Sequence, residues 1–420
     1  MKILLVHPHD IFDHHEPWTI RIENIAREFV RMGHTVKLIH FLQETSIEKH
    51  TRHPYGFEVI SLRRRGEWKR FMKNFREILT EIEWADIVHF QKCFHYVSLP
   101  VLFGCYKFRK PVHYDWDDLE EAIYETSAHP PSRYIHFFLN TFERILPTMV
   151  DTVSVASAEL RRKCVSLGIP SQRIFNTPVG ADLGTFNGSV SGERIKKRFN
   201  AGGKLVVYIG QLNGAQYTHL FVKAVSKIRE KNPHTRYLII GSGSKSRDLQ
   251  ELAKCLKVDD AIMFLGALRH EMVPQYLAAA DIAVACFEDN EITRCKSPLK
   301  VVEYLSAGKA IVASAVGEVK TMLEGCGILV KPGSSDALAE GVQRLLNDDT
   351  LIETMGLLAR QKAEEKYNWP RVAKELINAY AVALGKKKSI ALEMNGYAKK
   401  IVFKEENSSV EEIKREEIIV

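Results

Sequence analysis

The sequence predicts an α/β protein made of two doubly wound parallel sheets in tandem. Three observations carry this reading. Short β-branched apolar runs alternate with longer stretches of helical period, which is the pattern of βαβ units. The alternation stops in a polar, glycine-containing stretch and restarts near residue 204. A chain of 420 residues is long for one hydrophobic core and comfortable for two.

In the first half, strands are expected at Ile3–His7, Thr35–Phe41, Phe57–Leu62, Asp86–Phe90, Val112–Asp115 and Asp151–Ala156. Between the first two, Ile22, Ile25, Ala26, Phe29 and Val30 form one helical stripe, and Gly33 follows as the expected left-handed terminator. The second half opens on Lys204–Gly210, continues with a helix through Phe221–Glu230, and then offers strands at Arg236–Gly241, Ala261–Leu265, Asp281–Cys286, Lys309–Ser314 and Gly327–Val330. The boundary is expected within Gly180–Gly203. The division this gives is a first domain over 1–185, a second over 186–366, a helix over 367–385 that crosses back to the first domain, and a charged appendage over 386–420. Ligands of such sheets bind outside the carboxyl ends of the strands, so a cleft between the two is the expected site and the linker its hinge.

Composition narrows the classes. Apolar residues at 45% and charged residues at 26% are those of an ordinary globular protein. No apolar run approaches the roughly 20 residues of a membrane-spanning helix. The opening Met1–Val6 reads as a strand and not as a signal peptide. Seven cysteines without a C-x-x-C pair argue against a disulfide framework and a structural zinc site, and point to a reducing cytoplasm. The net charge of +7 does not by itself suggest nucleic acid. Between Ser61 and Arg76, however, seven cations (Arg63, Arg64, Arg65, Lys69, Arg70, Lys73, Arg76) face one anion, Glu67, with Trp68, Phe71, Met72 and Phe75 interleaved at helical spacing. Two readings stay open: a basic helix that lies on an anionic membrane surface, and an amphipathic helix whose aromatics enter the core.

The segment Ser297–Lys309 is the most informative. Ser297 is a good N-cap and Pro298 suits the first helical position. A helix that starts there presents free N–H groups and its positive dipole end, a natural seat for a diphosphate. Lys300 adds a cation within the first turn, Glu303 is placed to accept from vicinal ribose hydroxyls, and Gly308 ends the helix. A plain capped helix with a Lys300–Glu303 ion pair is the structural alternative.

With "Tyr208-Ile209-Gly210", "Ile240-Gly241-Ser242-Gly243", "Phe264-Leu265-Gly266" and "Tyr276…Ala280-Asp281-Ile282" ahead of it, the set resembles the GT-B glycosyltransferases of family four. "Gly33-His34-Thr35-Val36", "Ala85-Asp86-Ile87-Val88-His89" and "Tyr367-Asn368-Trp369" extend the resemblance to about residue 384. It implies two Rossmann-like domains across a cleft, with Gly210, Gln211, Gln216, Gly241, Gly243, Arg294, Ser297, Pro298, Leu299, Lys300 and Glu303 around a nucleoside-diphosphate sugar. The family has two glutamates eight positions apart; Glu303 fills the second place and Cys295 the first. Its Arg and Lys after the first strand of the second domain are replaced by Gln211 and Gln216, and Arg294, Lys296 and Lys300 are the candidates to restore that charge.

On the acceptor side, His113-Tyr114-Asp115-Trp116-Asp117-Asp118 places three carboxylates at a strand end. The resemblance puts Asp117 where the family has a histidine near the reacting centre, so Asp117 and Lys300 are expected to be the catalytic residues. Asp118 is the expected neighbour of Asp117, or the N-cap of the next helix, and Asp115 is expected to be structural. The loop His7–Glu16 is rich in metal-ligand types without the spacing of a metal motif. His14 and His15 are read as acceptor-loop residues, with neither metal nor further cofactor expected. The resemblance implies a retaining reaction by front-face substitution, the departing diphosphate oxygen taking the acceptor proton. The acceptor class suggested by the basic helix is lipid-linked or polysaccharide. A sugar-nucleotide epimerase of the same fold and a non-catalytic sugar-nucleotide binder are the alternatives.

Overall fold

The computed structural model describes residues 1–12, 17–42, 50–64, 68–125, 133–199, 203–213 and 217–385. His14, His15, Gln216, Arg65–Glu67 and the appendage after 385 lie outside the described residues.

The first sheet contains β1 (Lys2–Val6), β2 (Thr35–Leu42), β3 (His50–Arg52), β4 (Glu58–Arg63), β5 (Ile87–Gln91), β6 (Val112–Trp116), β7 (Thr152–Val155) and β8 (Ile174–Asn176) in the order β3-β4-β2-β1-β5-β6-β7-β8. All pairs are parallel except β3 with β4. The second sheet contains β9 (Leu205–Ile209), β10 (Arg236–Ile240), β11 (Ile262–Gly266), β12 (Ile282–Ala285), β13 (Ala310–Ser314) and β14 (Ile328–Val330), entirely parallel, in the order β11-β10-β9-β12-β13-β14. In both sheets the order runs outward from the first strand and then reverses, the doubly wound arrangement. The two short strands β3 and β8 have no counterpart among the strands expected from the sequence.

The helices of the first half are α1 (Pro17–Arg31), α2 (Trp68–Trp84), α3 (His95–Lys107), α4 (Glu120–Glu125), α5 (Arg133–Ile145) and α6 (Ala158–Ser166). Then come α7 (Glu193–Phe199), α8 (Thr218–Lys231), α9 (Ser246–Cys255), α10 (Val273–Ala279), α11 (Glu291–Cys295), α12 (Leu299–Ser306), α13 (Gly317–Leu323), α14 (Ser335–Leu346), α15 (Asp349–Lys366) and α16 (369–385). No helix among the described residues is long and apolar enough to cross a membrane.

Strand alternation decides which core each side chain enters. Ile3 and Leu5 pack under α1 with Ile22, Ile25 and Phe29, whereas Leu4 and Val6 join Ile78, Ile82 and Val97 from α2 and α3. The helix α16 buries Val372, Ala373, Leu376, Ala379, Tyr380 and Ala383, at i, i+1, i+4, i+7, i+8 and i+11, in the same cluster as Ile3, Leu5 and Phe29. Its Tyr380 hydroxyl lies 2.6 Å from Nδ1 of His89 on β5. The chain thus returns from the second sheet to the first. Its outward crossing at Gly180–Asp182 runs beside the return crossing: Ala181 N–H donates to the Tyr367 carbonyl at 3.0 Å. A β-carbon on Gly180 would lie 2.7 Å from the Asn368 and Trp369 backbone, so the two crossings touch only because residue 180 is glycine.

Candidate functional site

At the carboxyl end of the second sheet, β9 and β12 pair only at Ile282–Val206 and Ala283–Val207 and then separate. The Tyr304 hydroxyl, from α12, fills the gap: it accepts from Ile209 N–H at 2.8 Å and donates to the Val284 carbonyl at 3.4 Å. Beyond the gap, Gly210 (φ +152°) and Gly241 (φ +143°) bring the β9 and β10 loops into contact. A β-carbon on Gly241 would sit 1.9 Å from the Gly210 carbonyl oxygen, and one on Gly210 would sit 2.4 Å from Lys300 Nζ. These glycines clear space for a lysine. At Gly243 a β-carbon would meet the Leu212 carbonyl at 2.5 Å, so this glycine too serves close backbone approach.

Lys300 is held between aromatic groups. Its Nζ donates to the Tyr208 hydroxyl at 3.0 Å and lies 4.3 Å from that ring's centroid and 5.7 Å from the Phe287 ring. Burial pushes its pKa down to about 8, and Lys296 nearby pushes the same way. Glu303, one turn on and 4% exposed, turns to another side. The Lys300–Glu303 ion pair of the structural alternative is not among the ion pairs of the described residues; His270 Nε2–H donates to Glu303 Oε1 at 2.7 Å. Although burial opposes a charge on His270, Glu303 and then Glu271 and Asp182 raise its pKa above the ordinary value. Glu303 and His270 line a cavity of about 300 Å³ with Leu299, and with Asn24, Arg27 and Asp182 from the facing domain and the crossing.

Several expected residues sit elsewhere. Ser297 is not the N-cap of α12: that place is Pro298 (φ −72°, ψ 117°), one residue later than the sequence suggested. The Ser297 hydroxyl accepts from Val179 N–H at 2.9 Å and so ties the helix start to the inter-domain crossing. Arg294 faces solvent and pairs with Asp289 at 2.6 Å, because α11 buries Ile292, Thr293 and Cys295 and leaves Arg294 outside. Cys295 is fully buried in the core cluster of the first sheet, and burial pushes its thiol up to about 12. Gln211 is half-buried at the β9 loop.

At the carboxyl end of the first sheet the expected carboxylates divide. Asp115 is saturated: Arg21 donates to both its oxygens at 2.8 Å, Gln91 Nε2 at 2.7 Å and Ser154 Oγ at 2.6 Å. Against the cost of burial, the Arg21 guanidinium holds this carboxyl well below the usual range. Asp117, by contrast, is pushed up to about 6 by burial, which outweighs the opposing charge of Lys92, and by Asp118 and Asp115. Lys92 was not foreseen. It follows β5 in the left-handed region (φ +67°), is 1% exposed, and faces Asp117 at 3.0 Å, Asp118 at 3.9 Å and Glu120 in closer contact. Its place just past a central strand of a doubly wound sheet was the available signal. Asp118 does not cap α4; the first N–H groups of that helix, from Glu120 and Glu121, donate to Glu143 at 2.9 Å, and the Trp116 indole donates to the same carboxylate at 3.0 Å. Among the described residues one trio, Glu121, Glu125 and His136, brings ligand-type atoms within 4.8 Å of one another. It lies on α4 and α5, and Glu121 joins it to Glu143 through its backbone N–H.

The aromatics around the basic segment divide between core and solvent. Phe71 packs on the core of the first sheet, and Phe75 lies 5.5 Å from the half-exposed Phe103 ring of α3. Trp68 and Tyr106 are 73% and 85% exposed. Arg64 instead lays its guanidinium over the rings of Phe94 and Tyr96, at 5.5 and 5.3 Å.

The fold and the second domain have counterparts among known proteins. Residues 203–348 match the family model described as glycosyl transferases group 1. An uncharacterised glycosyltransferase of Methanocaldococcus jannaschii is 27% identical over 264 residues, 60% of this chain and 64% of that protein. Matches to two further curated relatives span 58% and 44% of their lengths, so the chain matches only part of each. Among solved structures, sucrose-phosphate synthase from Thermosynechococcus elongatus superposes with a TM-score of 0.72 at 18% identity, covering 90% of this chain and 98% of that one. Anabaena Alr3699/HepE in complex with UDP-glucose gives 0.70 at 15% identity, covering 91% and 99%. Its second domain thus matches the family model of the group 1 glycosyltransferases, and its whole length has the two-domain GT-B fold of these structures.

Proposed function

We propose that the protein is a retaining, metal-independent glycosyltransferase that moves a hexose-like sugar from a nucleoside diphosphate to an acceptor bound against the first domain. The observation that carries this reading is the pairing of Lys300 and Glu303 on opposite sides of one helix start. Lys300 lies against the Gly210 backbone and Glu303 lines the inter-domain cavity. The first turn of α12 and the Lys300 ammonium receive the diphosphate, with Lys296 beside them, while Glu303 accepts from the ribose. Charge developing on the departing diphosphate is then met by fixed groups, the largest contribution expected for such a transfer. Asp117, with Asp118 beside it, orients the acceptor hydroxyl, and the leaving diphosphate oxygen takes its proton. The missing glutamate at Cys295 and the missing cations at Gln211 and Gln216 place more of the charge stabilisation on Lys300.

The acceptor we propose is lipid-linked or a surface polysaccharide, and the protein works as a peripheral component at the cytoplasmic face of a membrane. Support comes from the exposed Trp68 on α2 with Lys69, Lys73 and Arg76, and from the exposed Tyr106 on α3, the helix packed against α2, since each cation near an anionic surface contributes about 1 kcal/mol.

Thermal-shift screening with UDP-, GDP- and ADP-sugars identifies the donor, and release of nucleoside diphosphate with and without candidate acceptors reads the reaction. Glu303→Ala is expected to abolish the shift and Lys300→Ala to slow release. Wild-type behaviour in both variants contradicts the site.

A further inference from the structure

His270 lies outside every motif that brought the sequence to this family, yet it makes the contact that fixes Glu303. It stands four residues past Gly266, the last residue of β11, and opens a single 3-10 turn. Phe186, from the chain after the outward crossing, packs on its ring with centroids 5.6 Å apart. Its Nε2–H donates to Glu303 Oε1 at 2.7 Å, and Glu303 is almost fully buried. The charged groups around the pair come from three sides: Glu271 on the same turn, Asp182 on the crossing, and Glu23 and Arg27 on α1, with Arg27 donating to Asp182 at 2.7 Å. Both partners line the cavity of about 300 Å³ between the domains, at the lower end of the range for small-molecule pockets. A carboxylate with four lone-pair sites turns freely about its last torsion unless one oxygen is held. Here one is held.

We propose that His270 is a positioning residue for the donor's nucleoside: it fixes one oxygen of Glu303 so that the carboxylate meets the ribose hydroxyls without reorganising. This rests on the donor-site reading given above. It makes recognition of the pentose a property of two residues from different segments, one after β11 and one on α12.

The test uses the full chain and calorimetric titration with UDP, GDP and ADP, followed by the 2′,3′-dideoxy form of whichever binds best. His270→Ala is expected to weaken the ribonucleotide about tenfold, the scale of one hydrogen bond to a charged group. The dideoxy ligand should bind wild type and variant alike. His270→Gln, which keeps an N–H donor, should recover most of the loss. Equal weakening of both ligands, or no weakening of either, overturns the proposal, because a merely structural histidine does not distinguish a ribose from its dideoxy form. Should His270→Ala melt before titration, His270→Met gives the same reading at closer volume. Glu303→Gln separates the levels. If it weakens the ribonucleotide while His270→Ala does not, the positioning role alone falls; if wild type binds none of the three nucleotides, or Glu303→Gln changes nothing, the donor site itself falls.

Discussion

Two central strands show how differently the domains use burial. Leu205–Ile209 and Val112–Trp116 are both five residues long and buried throughout, but the first is wholly apolar while the second carries His113 and Asp115. In the first domain, buried polar groups hold the fold. Arg21, Asp115, Gln91, Ser154 and Thr177 form one network that joins α1, three strands and the segment after β8. Burial leaves its neighbours His7 and His89 with pKa values near 3 and 4, hence neutral. In the second domain the half-buried Lys300 lies against the rings of Tyr208 and Phe287 and donates to the Tyr208 hydroxyl. The contrast is between a carboxylate saturated by partners, which serves stability, and an ammonium on aromatic faces, which the proposed donor site would use.

The largest effect that would break this contrast is at Arg21. Arg21→Ala leaves the Asp115 carboxylate buried without its cation and should cost about 3–5 kcal/mol in urea unfolding. Asp115 has a depressed pKa, so its contribution is present above the unfolded carboxylate value near 4 and is lost as the pH falls below it. The wild type should therefore lose this stability in acid, and Arg21→Ala should show less of that loss. A variant as stable as wild type removes the structural role.

Lys300→Met is the opposite case. It replaces a buried ammonium by an apolar chain among rings, so stability should hold or rise while turnover falls about 10²–10³-fold. Destabilisation with unchanged turnover would make Lys300 a second Arg21.

A smaller effect follows from titration. Burial holds the Lys300 pKa near 8 without ligand, and a bound diphosphate raises it. Binding should therefore take up a proton near and above pH 8, and affinity should fall by up to about tenfold per pH unit beyond it. Calorimetry in buffers of different ionisation enthalpy measures this directly. A pH-independent affinity between 7.5 and 9.5 would place the diphosphate away from Lys300. The smallest effect is at the surface: Lys69→Gln and Lys73→Gln should each lower binding to anionic vesicles by about 1 kcal/mol, with no change on neutral vesicles.

The same contrast explains what the sequence made legible. The parallel sheets could be read because buried strands are continuous apolar runs, and α12 because its Pro, Lys, Glu and Gly fall within one short segment. The partners of those residues could not. His270 reaches Glu303 from 33 positions away, and Lys92 reaches Glu120 from 28, separations to which local periodicity is blind. Asp115, Asp117 and Asp118 share one strand end, and only the arrival of Arg21 from α1 and of Lys92 from the turn after β5 separates a saturated carboxylate from one whose pKa burial raises. Asp118 failed as a cap for the same reason, since Glu143 on α5 supplies the acceptor from outside the segment. Arg294 was placed by nearness in sequence to Lys300, but the burial of α11 through Ile292 and Cys295 decided its direction.

A structure with a bound nucleoside diphosphate tests the central claim most directly. Phosphate oxygens within hydrogen-bonding distance of the first-turn N–H groups of α12 and of Lys300 Nζ, with the pentose on Glu303, are the predicted result. A nucleotide seated elsewhere, with Lys300 still on the Tyr208 ring and Glu303 engaged by His270 alone, would contradict it.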